Sequence, residues 1–132
     1  MTSTTASNPS LFSKQATAFR KAFGVPRDLS PVGRSLQTRL IIEEFKEFLQ
    51  AEGEMNLMMP NTRADCLKEL ADLVYVCWQY AANMGWDLDE ALDRVHESNM
   101  SKLDDSGQPV KRADGKILKS DNYKPPSLED LI

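Results

Sequence analysis

Apolar residues recur every three or four positions in four segments of the chain, the spacing that places side chains on one face of a helix. In the first segment Phe12, Phe19 and Phe23 follow this spacing, and Gly24 then ends it. We therefore predict a first helix over residues 11–23. The same pattern predicts three more helices, over residues 31–52, over residues 63–84 and from residue 88 onward.

Helical spacing disappears at Asp104. The residues that follow contain a turn signal at Asp114-Gly115 and several basic side chains, whereas residues 1–9 are a polar tail without periodicity. We predict an all-α fold, a bundle of about four helices. Residues 1–132 are expected to form a single domain, with a flexible tail over residues 1–9 and an irregular C-terminal arm over residues 104–132.

Composition and charge are those of an ordinary soluble globular protein, with 41% hydrophobic residues, 27% charged residues and a formal net charge of -4. The negative charge argues against nucleic acid as a partner, and no apolar run reaches the length of about 18 residues that a membrane span needs. Cys66 and Cys77 lie about 16 Å apart along one predicted helix, too far for a disulfide. We predict a cytoplasmic protein with reduced thiols and no membrane partner.

Three glutamates lie in one of the most apolar segments of the chain. On a helix Glu43, Glu44 and Glu47 fall within an arc of about 100°. Leu36 and Leu40 lie in the same arc, so the acids share the face that is expected to be buried. A buried carboxylate needs a cationic partner or a metal ion, and this segment does not supply a cation on that face.

Two more acids repeat this pattern on the third predicted helix. Glu69 and Asp72 lie one turn apart and share an arc of about 100° with Leu73, Val76 and Tyr80. The apolar faces of neighbouring helices converge in a bundle, where the two groups of acids would repel each other unless a cation neutralised them.

The acids predict a divalent metal site. Carboxylate ligands without His or Cys favour hard cations, so we expect Mg²⁺ or Mn²⁺, with more than one ion per site. Such a site can activate a water and bind the phosphate oxygens of a nucleotide. The alternative is an acidic surface whose carboxylates pair with Arg39, Lys46 or Lys68. The residues predicted to hold the metal are Glu43, Glu44, Glu47, Glu69 and Asp72.

The predicted connection between the second and third helices is rich in flexible apolar side chains, with Met55, Leu57, Met58 and Met59. Such residues are unusual in an exposed loop. We expect them to cover the core or an oligomer contact, and a mobile lid over a site is the alternative.

The acid motifs resemble those of a known enzyme family. Glu43-Glu44-Phe45-Lys46-Glu47, followed by Glu69-Leu70-Ala71-Asp72, resembles the motif pair of the MazG-like all-α nucleoside triphosphate pyrophosphohydrolases. Downstream, residues 95–102 and 112–116 resemble the branch that has a phosphoribosyl-ATP-pyrophosphohydrolase-like C-terminal arm. That branch includes a Deinococcus dUTPase-like member and phage MazG-like or MazZ-type relatives. The resemblance covers roughly residues 30–126.

The resemblance implies a nucleoside triphosphate diphosphatase, a hydrolase that cleaves between the α and β phosphates through a metal-activated water. Its substrate would be a (d)NTP, with dGTP and dUTP equally compatible, and its products the (d)NMP and pyrophosphate. The resemblance also implies that Mg²⁺ or Mn²⁺ binds the five acids and that the chain assembles into a homodimer or homotetramer. The alternatives are phosphoribosyl-ATP hydrolysis and a non-catalytic helical dimerisation or regulatory module.

The family pattern also suggests which side chains act on the substrate. The five acids become catalytic residues, with Glu43 or Glu44 orienting or deprotonating the attacking water. The motif match makes five further residues candidates for substrate contact, the last three of them at the triphosphate end: Asn99, Lys102, Lys116, Lys119 and Tyr123.

Overall fold

A computed structural model describes residues 9–132 and divides the chain into two compact units, Met1–Trp86 and Asp87–Ile132. The predicted flexibility of residues 1–9 falls on residues that, apart from Pro9, lie outside the described part. The prediction that residues 1–132 form one domain stays a prediction.

The structure confirms the all-α prediction. The described residues form four α-helices: α1 (Leu11–Ala22), α2 (Pro31–Glu54), α3 (Pro60–Met84) and α4 (Leu88–Met100). The predicted arm contains two short antiparallel strands, β1 (Val110–Lys111) and β2 (Ile117–Leu118), and a 3-10 turn (Glu129–Leu131). No helix of the described residues is long and apolar enough to cross a membrane.

Helix ends fall where local chemistry places them. The hydroxyl of Ser30 accepts a hydrogen bond from the N–H of Gly33 at 3.3 Å, and Pro31 occupies the first turn of α2. Gly85 ends α3 with a φ of 73°, a left-handed conformation that favours glycine. Helix α3 begins three residues earlier than predicted because Pro60, read as a break, also suits the first turn of a helix.

Helices α2 and α3 pack against each other along a seam of positions spaced alternately four and three residues apart. Most of these side chains are buried or half-buried, and the seam is not wholly apolar because Glu44 and Glu69 belong to it. In α2 the seam comprises Gln37, Ile41, Glu44, Phe48 and Ala51, and Met55 continues it at the C-terminal cap. In α3 the seam comprises Thr62, Cys66, Glu69, Leu73, Val76, Tyr80 and Asn83.

Helix α1 packs on a different face of α3 through aromatic pairs. The ring centroids of Phe12 and Trp78 are 5.9 Å apart, and those of Phe19 and Tyr75 are 5.8 Å apart. Ala16 lies between these pairs in sequence and is 2% exposed. The first unit is therefore organised around α3, with α1 and α2 on separate faces.

A buried polar network fixes the connection between α1 and α2 to α3. Asn83 is 1% exposed, and its Oδ1 accepts hydrogen bonds from Arg20 Nη2 at 2.9 Å and from the N–H of Asp28 at 2.8 Å. Its Nδ2 donates to the carbonyl of Asp28 at 2.8 Å. One amide side chain thus bonds both to a buried guanidinium and to the backbone of the connection.

The apolar residues of the connection between α2 and α3 differ in burial, since Met55 is half-buried at the end of the seam whereas Leu57 is 70% exposed and Met58 is 87% exposed. The hydroxyl of Thr62 donates to the carbonyls of Asn56 and Met59 at 2.8 Å each, and it accepts from the N–H of Asn56 at 2.9 Å. These bonds fix the backbone of the loop between Asn56 and Met59. The oligomer contact and the lid both stay predictions.

The second unit ties the C-terminal segment back onto α4. Arg94 Nε donates to Glu90 at 3.1 Å, and Arg94 Nη2 donates to Asp130 at 2.9 Å. The hydroxyl of Ser120 donates to the carbonyl of Leu103 at 2.7 Å. The arm is irregular, as predicted, and hydrogen bonds hold it in a defined path.

Candidate metal centre

Three of the five predicted acids come together in the seam between α2 and α3. Glu44 and Glu47 lie one turn apart on α2, and Glu69 faces them from α3. Each offers one carboxylate oxygen, and these three oxygens all lie within 4.8 Å of one another. This spacing allows one cation to contact all three carboxylates.

Two carboxylate oxygens of this cluster are buried without a hydrogen-bond donor. They are Glu44 Oε2 and Glu69 Oε2, the two seam positions. A buried ionised oxygen without a partner destabilises a fold, and an oxygen-seeking cation would satisfy both atoms. The donor set contains only carboxylates, which suits Mg²⁺ or Mn²⁺. The cluster therefore fits a hard divalent cation.

The electrostatics of the cluster centre on Glu44. Burial raises the pKa of the Glu44 carboxyl, and the negative charges of Glu47, Asp72 and Glu69 raise that pKa further. The ionised form of Glu44 is thus disfavoured in the metal-free protein. A divalent cation would reverse this balance by favouring the ionised form.

Asp72 lies beside the cluster but is paired with a lysine. Lys68 Nζ lies 2.7 Å from Asp72 Oδ2 and 3.4 Å from Glu69 Oε1, and hydrogen bonding to Asp72 raises the pKa of the Lys68 ammonium. The alternative in which the acids pair with basic side chains is therefore correct for Lys68, which pairs with Asp72 and Glu69. Arg39 and Lys46, its other two proposed bases, form no ion pair within the described residues.

Glu43 lies away from the three-carboxylate cluster. We expected Glu43, Glu44 and Glu47 to share the buried face, but only Glu44 is half-buried and the other two are exposed. The reason is the phase of α2, because its packed face follows the seam through Glu44 instead of the stripe through Leu36, which is 45% exposed. Glu47 still reaches the cluster from the edge of the seam.

The predicted substrate residues all belong to the second unit. Asn99 is exposed near the end of α4, and its carbonyl accepts a hydrogen bond from the N–H of Lys102 at 3.2 Å. Lys116 is exposed beside β2, and the ammonium of Lys119 lies 4.6 Å from the ring centroid of Tyr123. Their contact with substrate stays a prediction.

The sequence reading missed Gln37 in the same seam. Gln37 lies two helical turns before Glu44, is 4% exposed, and its Oε1 has no hydrogen-bond partner. The signal was present, since Gln37, Ile41 and Glu44 follow the four–three spacing. Because glutamine is polar, a search for buried helix positions that counts only apolar residues does not detect it.

Replacing Lys68 by Gln is expected to tighten Mn²⁺ binding about threefold or more, because a neighbouring positive charge no longer repels the ion. Isothermal titration of the metal-free protein with Mn²⁺ measures this. Lys46→Gln is the matched control, an exposed lysine on α2 without an ion pair in the described part of the chain, and it should leave the affinity unchanged. Weaker Mn²⁺ binding by Lys68→Gln would contradict this reading of the cluster.

Glu44→Gln is expected to stabilise the metal-free protein at pH 7 by about 1 kcal/mol. The raised pKa means that the folded state holds the Glu44 proton more tightly than the unfolded state. This carboxyl therefore favours folding fully below its ordinary pKa of 4.5, and that contribution is lost as the pH rises through the raised value. Glutamine carries no charge at any pH, so the stability of the variant lacks this pH dependence.

Urea titrations of both proteins in chelator at pH 4 and pH 7 measure the difference. We expect Glu44→Gln to exceed the parent only at pH 7, and Glu43→Gln, on an exposed position of the same helix, to match the parent at both. A less stable Glu44→Gln at pH 7 would show that the Glu44 charge is compensated within the chain.

One family of known proteins matches most of the chain. The model of the phosphoribosyl-ATP pyrophosphohydrolase family matches residues 19–99, which are 81 of the 132 residues (99 - 19 + 1 = 81). The matched segment contains α2 and α3 and all five predicted metal ligands. No curated protein compared with the chain matches it. The chain belongs to the phosphoribosyl-ATP pyrophosphohydrolase family, within the MazG-like superfamily of all-helical NTP pyrophosphohydrolases.

Proposed function

We propose that this protein hydrolyses the bond between the α and β phosphates of a nucleoside triphosphate group and releases pyrophosphate. One observation carries the proposal: three carboxylates of α2 and α3 converge within 4.8 Å, and two of their oxygens are buried without donors. Family membership supports a pyrophosphohydrolase activity, and pyrophosphohydrolases of this superfamily usually use divalent metals.

In this proposal the metal ligands are Glu44, Glu47 and Glu69, with Asp72 beside the cluster as a candidate ligand for a second ion. Glu43 would need to move towards the cluster to serve as a fifth ligand. When bound, divalent cations neutralise phosphate oxygens and activate a water for attack at phosphorus. Glu69 and Glu47 would supply negative charge to hold the cation between the helices. Asp72 would contribute to a second ion only if its ion pair with Lys68 opened.

Glu44 is the better candidate for the base. Its position in the seam favours it over Glu43, which is exposed and lies away from the cluster, since a base must lie within hydrogen-bond reach of the water. The water oxygen forms a new bond to phosphorus, the bridging P–O bond breaks, and the electron pair leaves with the departing phosphate group. The proton of the water goes to Glu44.

Two substrate classes satisfy this chemistry. The first is a (d)NTP, with dGTP and dUTP as the leading candidates, which would yield the (d)NMP. The second is phosphoribosyl-ATP, and the description of the matching family favours it directly. Both contain the same triphosphate group, so the acid cluster is compatible with either.

We also propose that Asn99, Lys102, Lys116, Lys119 and Tyr123 contact the substrate. Cationic side chains suit the triphosphate, and Tyr123 offers an aromatic face close to Lys119. Substitution of Lys102 by Gln should raise KM for the nucleotide more than it lowers kcat.

Assembly into a homodimer or homotetramer completes the proposal. An apolar groove of about 370 Å³ runs between α1 and α3, and its walls include Phe12, Leu67, Leu70 and Val74. Leu67 is 67% exposed and Val74 is 46% exposed, which is unusual for apolar side chains that share one groove. Light scattering of the purified protein measures the assembly directly.

A nucleotide panel tests the proposed reaction. Purified protein with Mg²⁺ or Mn²⁺ is incubated with phosphoribosyl-ATP, dGTP, dUTP and the other common NTPs and dNTPs, and pyrophosphate is measured. We expect pyrophosphate from at least one of them and none after chelation. Orthophosphate as the only product, or no product from any nucleotide, would instead favour a non-catalytic helical module.

A further inference from the structure

A cavity at the C-terminal end of α1 is lined by three cationic side chains. It has a volume of about 580 Å³, and its walls contain Arg20, Lys21 and Arg27 but no carboxylate. None of the three forms an ion pair with any carboxylate of residues 9–132. The region is therefore locally positive in a chain whose net charge is -4.

The charge of Arg20 is buried without a counter-ion. Arg20 is 7% exposed, and burial lowers the pKa of its guanidinium. Its Nη atoms donate to the carbonyl of Pro26 at 2.9 Å, to Asn83 Oδ1 at 2.9 Å and to Gln79 Oε1 at 3.4 Å, and its Nε has no partner. All three acceptors are neutral, so hydrogen bonding orients the cation but leaves its charge uncompensated.

The other two cations keep donors available. Lys21 is exposed and its ammonium has no partner within the described residues. Arg27 donates from Nε to the carbonyl of Asn83 at 3.2 Å and from Nη2 to the carbonyl of Met84 at 2.9 Å, which leaves its remaining N–H groups unengaged. Two arginines fixed by internal bonds and one exposed lysine suit an oxyanion.

The partial negative charges at the C-terminal ends of helices do not neutralise all three cations. Both α1 and α3 end here, and each helix C-terminus carries the equivalent of about half a negative charge. Among the side chains that line the cavity, three cations against about one negative charge from the helix ends leave an excess of positive charge. A phosphate dianion has the charge and the acceptor oxygens to offset that excess.

The cavity is separate from the candidate metal centre. Ala82 lines the cavity on α3, and Asp72 on the same helix lies ten residues earlier, about 15 Å along the axis at the rise of an α-helix. Anion binding here would therefore not require the metal. The inference is independent of the proposed hydrolysis.

We infer that the cavity lined by Arg20, Lys21 and Arg27 is a binding site for a phosphate group. The group belongs either to free phosphate or pyrophosphate or to the 5′-phosphate of a nucleotide. All three share the dianionic oxygens that the two arginines and the lysine would bind. The volume of about 580 Å³ leaves room for the body of a nucleotide beside its phosphate.

Isothermal titration of the full chain in chelator, without divalent metal, tests the inference with inorganic phosphate, pyrophosphate and dGMP as separate probes. We expect saturable binding of at least one probe, and the tightest probe identifies the source of the phosphate. Lys21→Glu should raise Kd for that probe about tenfold or more. Lys14→Glu removes the same charge from α1 outside the cavity and should change Kd less than about twofold.

Lys21→Glu carries this test because Lys21 makes no side-chain contact that folding needs, whereas loss of Arg20 would also break three hydrogen bonds. Circular dichroism confirms that both variants keep their helices. Two results overturn the site. One is no saturable binding of any probe at millimolar concentration, and the other is equal weakening by Lys21→Glu and Lys14→Glu, which would indicate diffuse surface charge.

Discussion

Replacing Glu69 by Gln is expected to reduce metal-dependent pyrophosphate release by about 1000-fold while the helix content stays the same. Glu69 is the ligand that α3 contributes to the three-carboxylate cluster, and its Oε2 is buried without a donor. Glutamine keeps the size of the side chain but removes the negative charge that would hold the cation. Steady-state assays on the nucleotide that the parent prefers measure the loss.

Asp65→Asn is the matched control for this prediction. Asp65 is an exposed acid one turn earlier on α3, so its replacement removes the same charge and should leave the rate within about twofold. Glu47→Ala and Asp72→Ala should behave like Glu69→Gln and abolish turnover. Retention of most activity by Glu69→Gln would mean that the seam carboxylates do not hold the catalytic metal.

Replacing Asn83 by Ala is expected to lower the free energy of unfolding by about 3 kcal/mol. The substitution removes the acceptor for Arg20 and for the N–H of Asp28, and the donor to the carbonyl of Asp28. It leaves a buried guanidinium with fewer partners and detaches the connection between α1 and α2 from α3. Urea denaturation followed by circular dichroism measures the change.

Asn61→Ala provides the comparison, because Asn61 is exposed in the first turn of α3 and forms no side-chain hydrogen bond within the described residues. It should cost less than about 0.5 kcal/mol. A loss below about 1 kcal/mol for Asn83→Ala would show that the network adds little net stability.

Local sequence signals predicted the helices well because they depend on neighbours a few residues away. The Ser30-Pro31 start and the Gly85 stop are such signals, and both appear in the structure. The acids were also visible as charges among apolar residues. The convergence of three of them, Glu44, Glu47 and Glu69, is consistent with the rule that buried faces meet in a bundle.

The features that the sequence did not predict depend on long-range packing. The apolar stripe through Leu36 and Leu40 suggested one phase for α2, and contact with α3 selected another through Gln37 and Glu44. The network of Asn83 joins residues 55 to 63 positions apart, so no local pattern marks it. The sequence offered Arg39, Lys46 and Lys68 as partners for the acids, and only the side-chain positions in the fold show that Lys68 pairs with Asp72.

The central claim is that the seam between α2 and α3 holds a divalent cation. Electron paramagnetic resonance of free Mn²⁺ in a titration of the metal-free protein measures this occupancy without any substrate. We expect saturable binding to the parent protein, and loss of at least the tightest site in the double variant Glu44→Gln, Glu69→Gln. Absence of saturable binding, or an unchanged isotherm in a folded double variant, would contradict the claim.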